Sequence, residues 1–265
     1  MRVAYITAGA AGMFCGSCMQ DNTWARGLIA AGTPVTLIPT YTPIRVDEPN
    51  FSQSRVFFGG INVYLNARSR IWSALPSWSK SWLDHPWMIR QLTRFGVSND
   101  AAELGDLTLS MLAGDDGPIR AAGEELARYI GNELKPDIVI FSNALLSGCL
   151  PQIRRQFSGP IACVLQGDDV FLEGLPDSHR ERAIRAVSDR ASGFDGFLVH
   201  SQFYCDKMVA LLNLNASKFQ IIPLSIDLEH HTGRPRNHAG QPLTIGYFAR
   251  LAPEKGLHHL LDAFA

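Results

Sequence analysis

Two cations lie close together near the C-terminal end of the 265-residue sequence. Arg250 and Lys255 are five positions apart, on the segment that joins the apolar run 243–248 to a predicted helix beginning at Gly256. A loop that leaves a parallel strand opens at the crevice above the strand ends, where doubly wound proteins bind nucleotides. Two cationic side chains in that position predict a clamp for a diphosphate, with solvated loop charges as the competing interpretation.

A glycine-rich loop follows the first apolar run, Val3 to Thr7. Gly9, Gly12 and Gly16 precede a predicted helix, whose unpaired N–H groups would favour a phosphate or a developing oxyanion. A tight turn without a ligand is the other interpretation. The spacing is not that of a dinucleotide fingerprint, and no Gly-Lys-Ser/Thr follows, so NAD-binding and P-loop functions are disfavoured.

Cys15 and Cys18 form a Cys-Gly-Ser-Cys pair at the start of the same helix. A thiolate is stabilised there, which leaves three interpretations open: a redox dithiol, a reactive thiol without a function, and plain packing. No second Cys or His pair has the spacing of a zinc site, so no metal is expected. The five cysteines are scattered and odd in number, which favours a reducing compartment, and we expect a cytoplasmic protein.

Apolar runs that open at turn signals alternate with helical segments. The predicted strands are 3–7, 35–38, 138–141, 161–165 and 197–200. The predicted helices include 17–31, 119–134 and 202–212. Ser17, with Gln20 three residues on, has the form of a capping box. This alternation implies parallel strands with helices on both faces, so the expected fold class is α/β with a doubly wound parallel sheet.

Composition excludes several functional classes. The 24 Lys and Arg against 25 Asp and Glu give a formal net charge of −1, so no global field exists that would hold nucleic acid or an anionic membrane. The 46% hydrophobic and 18% charged content argues against disorder and is enough for a sizeable core. No apolar stretch is long enough to cross a bilayer.

A segment rich in Pro, Gly, Asn and His extends from Pro223 to Gln241 and predicts a linker. The expected organisation is an N-terminal domain over 1–222, the linker over 223–241 and the start of a second domain over 242–265. One strand and one helix cannot bury a core, so we expect the second domain to be incomplete and the chain to be truncated.

The segment 246–256 reads Gly-Tyr-Phe-Ala-Arg-Leu-Ala-Pro-Glu-Lys-Gly. It resembles the G-R-L-x-x-x-K-G signature that begins the second domain of family 4 (group 1) retaining glycosyltransferases of the GT-B fold, with Ala249 in place of the usual glycine. Other segments resemble motifs of the family and occur in the same order. Segment 15–16 resembles its Gly-Gly, and segment 31–35 resembles its G-H-x-V. Segment 166–169 resembles its H-G-x-D, and segment 223–227 resembles its P-N-G-V-D. The resemblance therefore spans nearly the whole chain.

The resemblance implies two Rossmann-like domains that face a cleft. The first would be an acceptor-side domain, and the second would hold a nucleotide diphosphate sugar. Such enzymes transfer a hexose with retention to a hydroxyl acceptor and typically need no metal or further cofactor, since basic side chains and backbone donors stabilise the leaving diphosphate. The expected partners are a nucleotide sugar and a hydroxyl acceptor, without nucleic acid.

Residue roles follow from the same resemblance. Arg250 and Lys255 would neutralise the donor diphosphate, and Gly16 would let the first-domain loop approach it closely. Gln166 stands where the family often has His, and a neutral amide can hydrogen-bond a sugar hydroxyl but cannot act as a titrating base. Asp168 and Asp169 would orient acceptor hydroxyls, or else cap the following turn.

One family feature cannot be assigned. The family carries an E-x7-E pair further along its second domain, and no glutamate follows Glu254 here. We therefore expect no transfer by the 265-residue chain alone. The alternatives are a non-catalytic domain that binds a glycan or a lipid head group, and a dithiol oxidoreductase that uses Cys15 and Cys18.

Four of the five tryptophans, Trp72, Trp78, Trp82 and Trp87, lie among Arg and Lys between residues 68 and 95. Aromatic side chains mixed with cations are typical of helix packing, of sugar stacking and of a membrane edge. All three interpretations stay open, including a peripheral membrane contact, and the acceptor and the oligomeric state are not indicated.

Overall fold

The computed structural model describes residues 1–9, 14–58, 101–226, 233, 240, 242, 244–249, 251 and 253–264, with the backbone alone at 101–103 and 254. Contacts divide the chain into two units, Met1–Ile226 and Asp227–Ala265. The domain boundaries predicted from composition stay a prediction. The tryptophan-rich segment 68–95 lies outside the described residues.

A six-stranded parallel sheet forms the centre of the first unit, with strand order β2-β1-β3-β4-β5-β6. The strands are β1 Val3–Thr7, β2 Val35–Pro39, β3 Ile138–Phe141, β4 Ile161–Val164, β5 Gly196–Val199 and β6 Phe219–Ile221. Every residue of β1 is buried, as expected of a continuous apolar run in a parallel sheet that is covered on both faces.

Seven α-helices are described in the first unit and one in the second. They are α1 Gly16–Ala30, α2 Ala101–Leu112, α3 Arg120–Arg128, α4 Leu150–Gln156, α5 Asp168–Glu173, α6 Asp177–Ala191, α7 Gln202–Leu212 and α8 Leu257–Phe264. Short 3₁₀ segments include Ala144–Cys149 after β3 and Pro253–Lys255 before α8.

The core lies on both faces of the sheet. Because successive side chains of a strand point to opposite faces, Ala4 and Ile6 of β1 join a large apolar cluster with α2, α3, α4, α6 and α7. Tyr5 joins a smaller cluster with Cys18 and Ala25 of α1. The predicted doubly wound α/β fold is therefore confirmed.

The local predictions differ from the structure in three places. The capping box is wrong: Cys15 is the N-cap of α1 and makes no side-chain cap bond, while Gln20 Nε2 lies 3.0 Å from His200 Nε2. A tertiary partner thus replaces the local one. The helix predicted over 119–134 ends as α3 at Arg128 and continues as a π-helical turn, Tyr129–Leu134. β6 was not predicted, because only three residues pair there.

The second unit contains α8, which confirms the predicted helix after Gly256. The predicted strand over 243–248 is absent from its described part, since residues 244–248 have no strand pairing. A parallel strand forms only beside a neighbour, and the described residues of this unit offer none. Within the described ranges, no helix is both long and apolar enough to span a bilayer.

Candidate functional site

The strand order reverses between β1 and β3. The chain runs from β1 to β2 on one side of β1 and later places β3 on its other side. In open parallel sheets, ligands bind in the crevice at such a switch point, beyond the carboxyl ends of the strands. Thr7, Ser142 and Gln166 lie at or just beyond the ends of β1, β3 and β4, so they mark this crevice.

A carboxylate lies buried beneath this edge. Asp21, in the second turn of α1, is fully buried. It accepts hydrogen bonds from the Tyr5 hydroxyl at 2.8 Å, the Thr7 hydroxyl at 2.6 Å and Gln166 Nε2 at 3.0 Å. Burial raises the pKa of Asp21 to about 7, although these hydrogen bonds act to lower it. Asp21 therefore changes charge near neutral pH.

Gln166 connects this carboxylate to the neighbouring strand. Its Nε2 donates to Asp21 Oδ1 at 3.0 Å and to the Ser142 carbonyl at 2.9 Å. Both amide hydrogens are thus used, and in the described part of the chain no donor contacts Gln166 Oε1. The side chain is half-buried, so it presents a fixed acceptor oxygen at the crevice.

Asp168 holds the loop that carries Gln166. Its carboxylate accepts the backbone N–H of Ala144 at 2.7 Å and the backbone N–H of Gln166 at 2.9 Å, and only 2% of the residue is exposed. Burial raises the pKa of Asp168 to about 6. This aspartate thereby ties the end of β4 to the segment that follows β3.

Asp169 is paired within the protein as well. Lys207 Nζ lies 2.7 Å from Oδ2, and the Tyr204 hydroxyl donates to Oδ1 at 3.0 Å. Burial acts to raise the pKa of Asp169, but the hydrogen bonds from Lys207 and Tyr204 outweigh it and leave the pKa below its ordinary value. The same Tyr204 oxygen accepts the backbone N–H of Gly167 at 2.8 Å. The contacts of α7 therefore fix the start of α5.

The glycine positions of the first loop differ in whether the structure requires glycine there. Gly9 has φ of 81°, and a Cβ there would collide with the Thr42 carbonyl oxygen, so its packing demands glycine. Gly16 begins α1, and a Cβ there would meet no atom of the described residues within 4 Å. Nothing in the described contacts requires glycine at position 16. Gly12 lies outside the described residues.

The predicted diphosphate clamp is described only in part. Lys255 is exposed and ends the 3₁₀ turn Pro253–Lys255. The Tyr247 hydroxyl donates a hydrogen bond to the backbone carbonyl oxygen of Lys255 at 3.4 Å, and this bond folds the loop back on itself. Arg250 lies outside the described residues.

The two cysteines of the first loop lie next to each other. Cys15 is partly exposed at the N-cap of α1, and Cys18 is buried one turn further on. The Cys18 thiol is the main cause that lowers the pKa of Cys15 to about 4, and all five cysteines of the chain are free. Within the described ranges, no group of three or more His, Cys, Asp or Glu is placed to hold a metal ion.

Sequence reasoning missed Asp21, Tyr204 and Lys207. Asp21 could have been found as an acidic residue three positions after Cys18, on the face of α1 that turns towards the sheet. Tyr204 and Lys207 carried no usable signal, because they reach Asp169 only through the packing of α7.

No model of a protein family matches the sequence, and neither does any curated protein. Among solved structures, the chain is similar to the apo form of the lipopolysaccharide outer core galactosyltransferase WaaB, with a TM-score of 0.46 and 11% sequence identity. The match covers 89% of this chain and 50% of that one. The chain thus spans half the length of that protein.

Proposed function

We propose that this chain is the acceptor-side part of a retaining glycosyltransferase, which moves a hexose from a nucleotide diphosphate sugar to a hydroxyl acceptor. The proposal is supported by the signature-like segment 246–256 and by the order of the other family-like segments. It is also supported by the doubly wound sheet, whose switch point provides a crevice at the end of β1.

The observation that carries the proposal is the fixed amide of Gln166. Both of its hydrogens are used by Asp21 and Ser142, so its oxygen is the group left for a ligand. A neutral acceptor held rigidly at the crevice suits a sugar or acceptor hydroxyl, which donates a hydrogen bond. Such an amide orients the hydroxyl and does not remove its proton.

The neighbouring carboxylates act indirectly in this proposal. Asp168 and Asp169 are held by protein donors, so they position the Gln166 loop and the start of α5. Gly16 leaves open space at the start of α1, which a diphosphate oxygen would use. Arg250 and Lys255 supply the positive charge that stabilises the leaving diphosphate, without a metal or another cofactor.

The setting of the reaction belongs to the same proposal. We place the protein in the cytoplasm because its cysteines are free.

Titration of UDP- and GDP-sugars against the full-length gene product, followed by assays of donor hydrolysis and transfer, tests the proposal. We expect one nucleotide class to bind and to be turned over. Binding without turnover would favour a non-catalytic glycan- or head-group-binding domain. Failure to bind either class would contradict the proposed function.

A further inference from the structure

We propose that Cys15 and Cys18 form a thiol–disulfide exchange site whose substrate is a disulfide. Cys15 attacks the substrate and Cys18 resolves the resulting mixed disulfide. The reaction does not depend on the proposed sugar transfer, although the two share α1 and Asp21, and the site stands on the geometry of α1 and β1.

Cys15 has the surroundings of an attacking thiolate. It is the N-cap of α1 and partly exposed, with its sulfur 3.2 Å from the Ser17 hydroxyl. Cys18 lies three positions further on, so the two cysteines share one face of the helix. The hydrogen bond from Cys18 is the main cause that lowers the pKa of Cys15 to about 4, so its thiolate predominates at neutral pH.

Cys18, in contrast to Cys15, is a buried thiol that keeps its proton. Only 2% of it is exposed, in a cluster with Tyr5, Leu37 and Val164. The hydrogen bond to Cys15 and then burial raise its pKa well above the ordinary value, so it keeps its proton. A large disulfide substrate reaches Cys15 first, because Cys15 is partly exposed and Cys18 is buried. Cys18 lies one helical turn further on and acts second.

A proton route leads away from Cys18. Thr7 Oγ1 donates to Asp21 Oδ2 at 2.6 Å, and Thr7 also acts on the pKa of the Cys18 thiol. Once Cys15 is held in the mixed disulfide, the S–H of Cys18 is free to turn to the Thr7 oxygen. Asp21 is wholly buried and is ionised in part near neutral pH. It is therefore a base that can take the Cys18 proton through Thr7 without contact with bulk water.

The chemistry balances with a disulfide RSSR as the oxidant. The Cys15 thiolate attacks one sulfur, the S–S bond of the substrate breaks, and RS⁻ leaves and takes up a proton. Cys18 then passes its proton through Thr7 to Asp21, and its thiolate attacks the Cys15 sulfur. A Cys15–Cys18 disulfide forms, and a second RS⁻ leaves and takes up the proton that Asp21 returns through Thr7. Two electrons pass from the dithiol to RSSR.

The other cysteines supply a matched control. Cys149 and Cys163 are fully buried, and burial raises the pKa of both thiols. Cys205 is buried and lies outside the Cys15–Cys18 pair. The Cys205→Ser variant therefore changes one thiol without touching the proposed site.

The test incubates the native chain with oxidised glutathione, quenches with an alkylating reagent and locates the modified cysteines by mass spectrometry. We expect loss of two of the five thiols together, with a disulfide between Cys15 and Cys18 and no retained glutathione. Cys18→Ser should stall with glutathione on Cys15, Cys15→Ser should not react, and Cys205→Ser should behave as the parent chain does.

A parent chain that retains glutathione on Cys15 while Cys18 stays reduced would overturn the proposal, and so would a chain that does not react. Asp21→Asn provides an independent readout, since it should lengthen the life of the mixed disulfide by roughly tenfold or more while Cys15 is still modified at the parent rate. Equal lifetimes in the two proteins would contradict the role of Asp21.

Discussion

Gln166 donates from Nε2 to Asp21 Oδ1 at 3.0 Å, although the two residues are 145 positions apart. The bond joins the loop after β4 to α1 beneath the switch point of the sheet. It leaves the amide oxygen of Gln166 as the group that a ligand can use. It also makes the orientation of that oxygen depend on a carboxylate whose pKa is about 7.

Replacement of Gln166 by Ala should weaken both the fold and the proposed reaction. Asp21 and the Ser142 carbonyl each lose a buried donor, so we expect the free energy of unfolding to fall by about 1–3 kcal/mol. Urea denaturation measures this loss. Gln202→Ala is the control, because its amide bonds only the exposed Asp206 on α7, and an equal loss in both variants would contradict the role given to Gln166.

The stability of the fold should fall as pH rises from about 4 to about 7. Burial raises the pKa of Asp21 to about 7 and that of Asp168 to about 6, whereas both are about 3.9 in the unfolded chain. Between the pKa of the unfolded chain and that of the native state, the native state binds more protons than the unfolded chain does. The resulting stabilisation is complete below the pKa of the unfolded chain and is lost as the pH rises through the pKa of the native state. A tenfold difference in proton affinity between the folded and unfolded states is worth about 1.4 kcal/mol of stability.

Asp21→Asn should remove most of the slope of the unfolding free energy against pH, because an amide resembles the protonated carboxyl group and does not titrate. Unfolding free energies measured at about pH 5 and about pH 8 test the point. The exposed Asp47→Asn variant should keep the slope of the parent chain. A slope that is unchanged in Asp21→Asn would show that another group carries it.

Gly9→Ala and Gly16→Ala should separate folding from ligand binding. Gly9 has φ of 81° and faces the Thr42 carbonyl, so alanine there should cost at least about 1–2 kcal/mol of stability. Alanine at Gly16 meets open space at the start of α1 and should change stability by less than about 1 kcal/mol. If Gly16 makes room for a diphosphate, its alanine variant should fold normally and turn over donor more slowly in the full-length gene product.

Tyr204→Phe should loosen the start of α5. The hydroxyl accepts the N–H groups of Gly167 and Asp168 and donates to Asp169, so its loss should lower the free energy of unfolding by about 1 kcal/mol or more. The neighbouring Phe203 is 76% exposed, and Phe203→Ala should stay within about 0.5 kcal/mol of the parent chain. Equal thermal shifts in the two variants would refute the anchoring role.

The parts of the fold that follow from short-range patterns could be predicted from the sequence. β1 is an apolar run that ends at a glycine-rich loop, and β3 is an apolar run after the turn signal 135–137. α7 begins and ends at the predicted residues. The start of α1 could not be predicted by the same reasoning, because Gln20 pairs with His200 from a distant strand end. β6 has only three residues, too few for a pattern.

The candidate site could be predicted in position but not in its contacts. Gln166 and Asp168 were predicted because the segment 166–169 resembles an H-G-x-D motif. Asp21 was not, since its partners Tyr5, Thr7 and Gln166 come together only when the sheet is assembled. The role of Asp168 as an anchor for the Ala144 N–H likewise depends on two strands that are adjacent in space.

Donor turnover in the full-length gene product is the sharpest test of the proposed neutralisation of a donor diphosphate by Arg250 and Lys255. The parent protein is compared with the Arg250→Ala and Lys255→Ala variants, with Lys218→Ala as a control on the surface of the first unit. We expect each of the two site variants to lose about a hundredfold or more in turnover, because the charge on the leaving group is no longer stabilised. The control should keep parental turnover. Parental turnover in Arg250→Ala and Lys255→Ala would contradict the account.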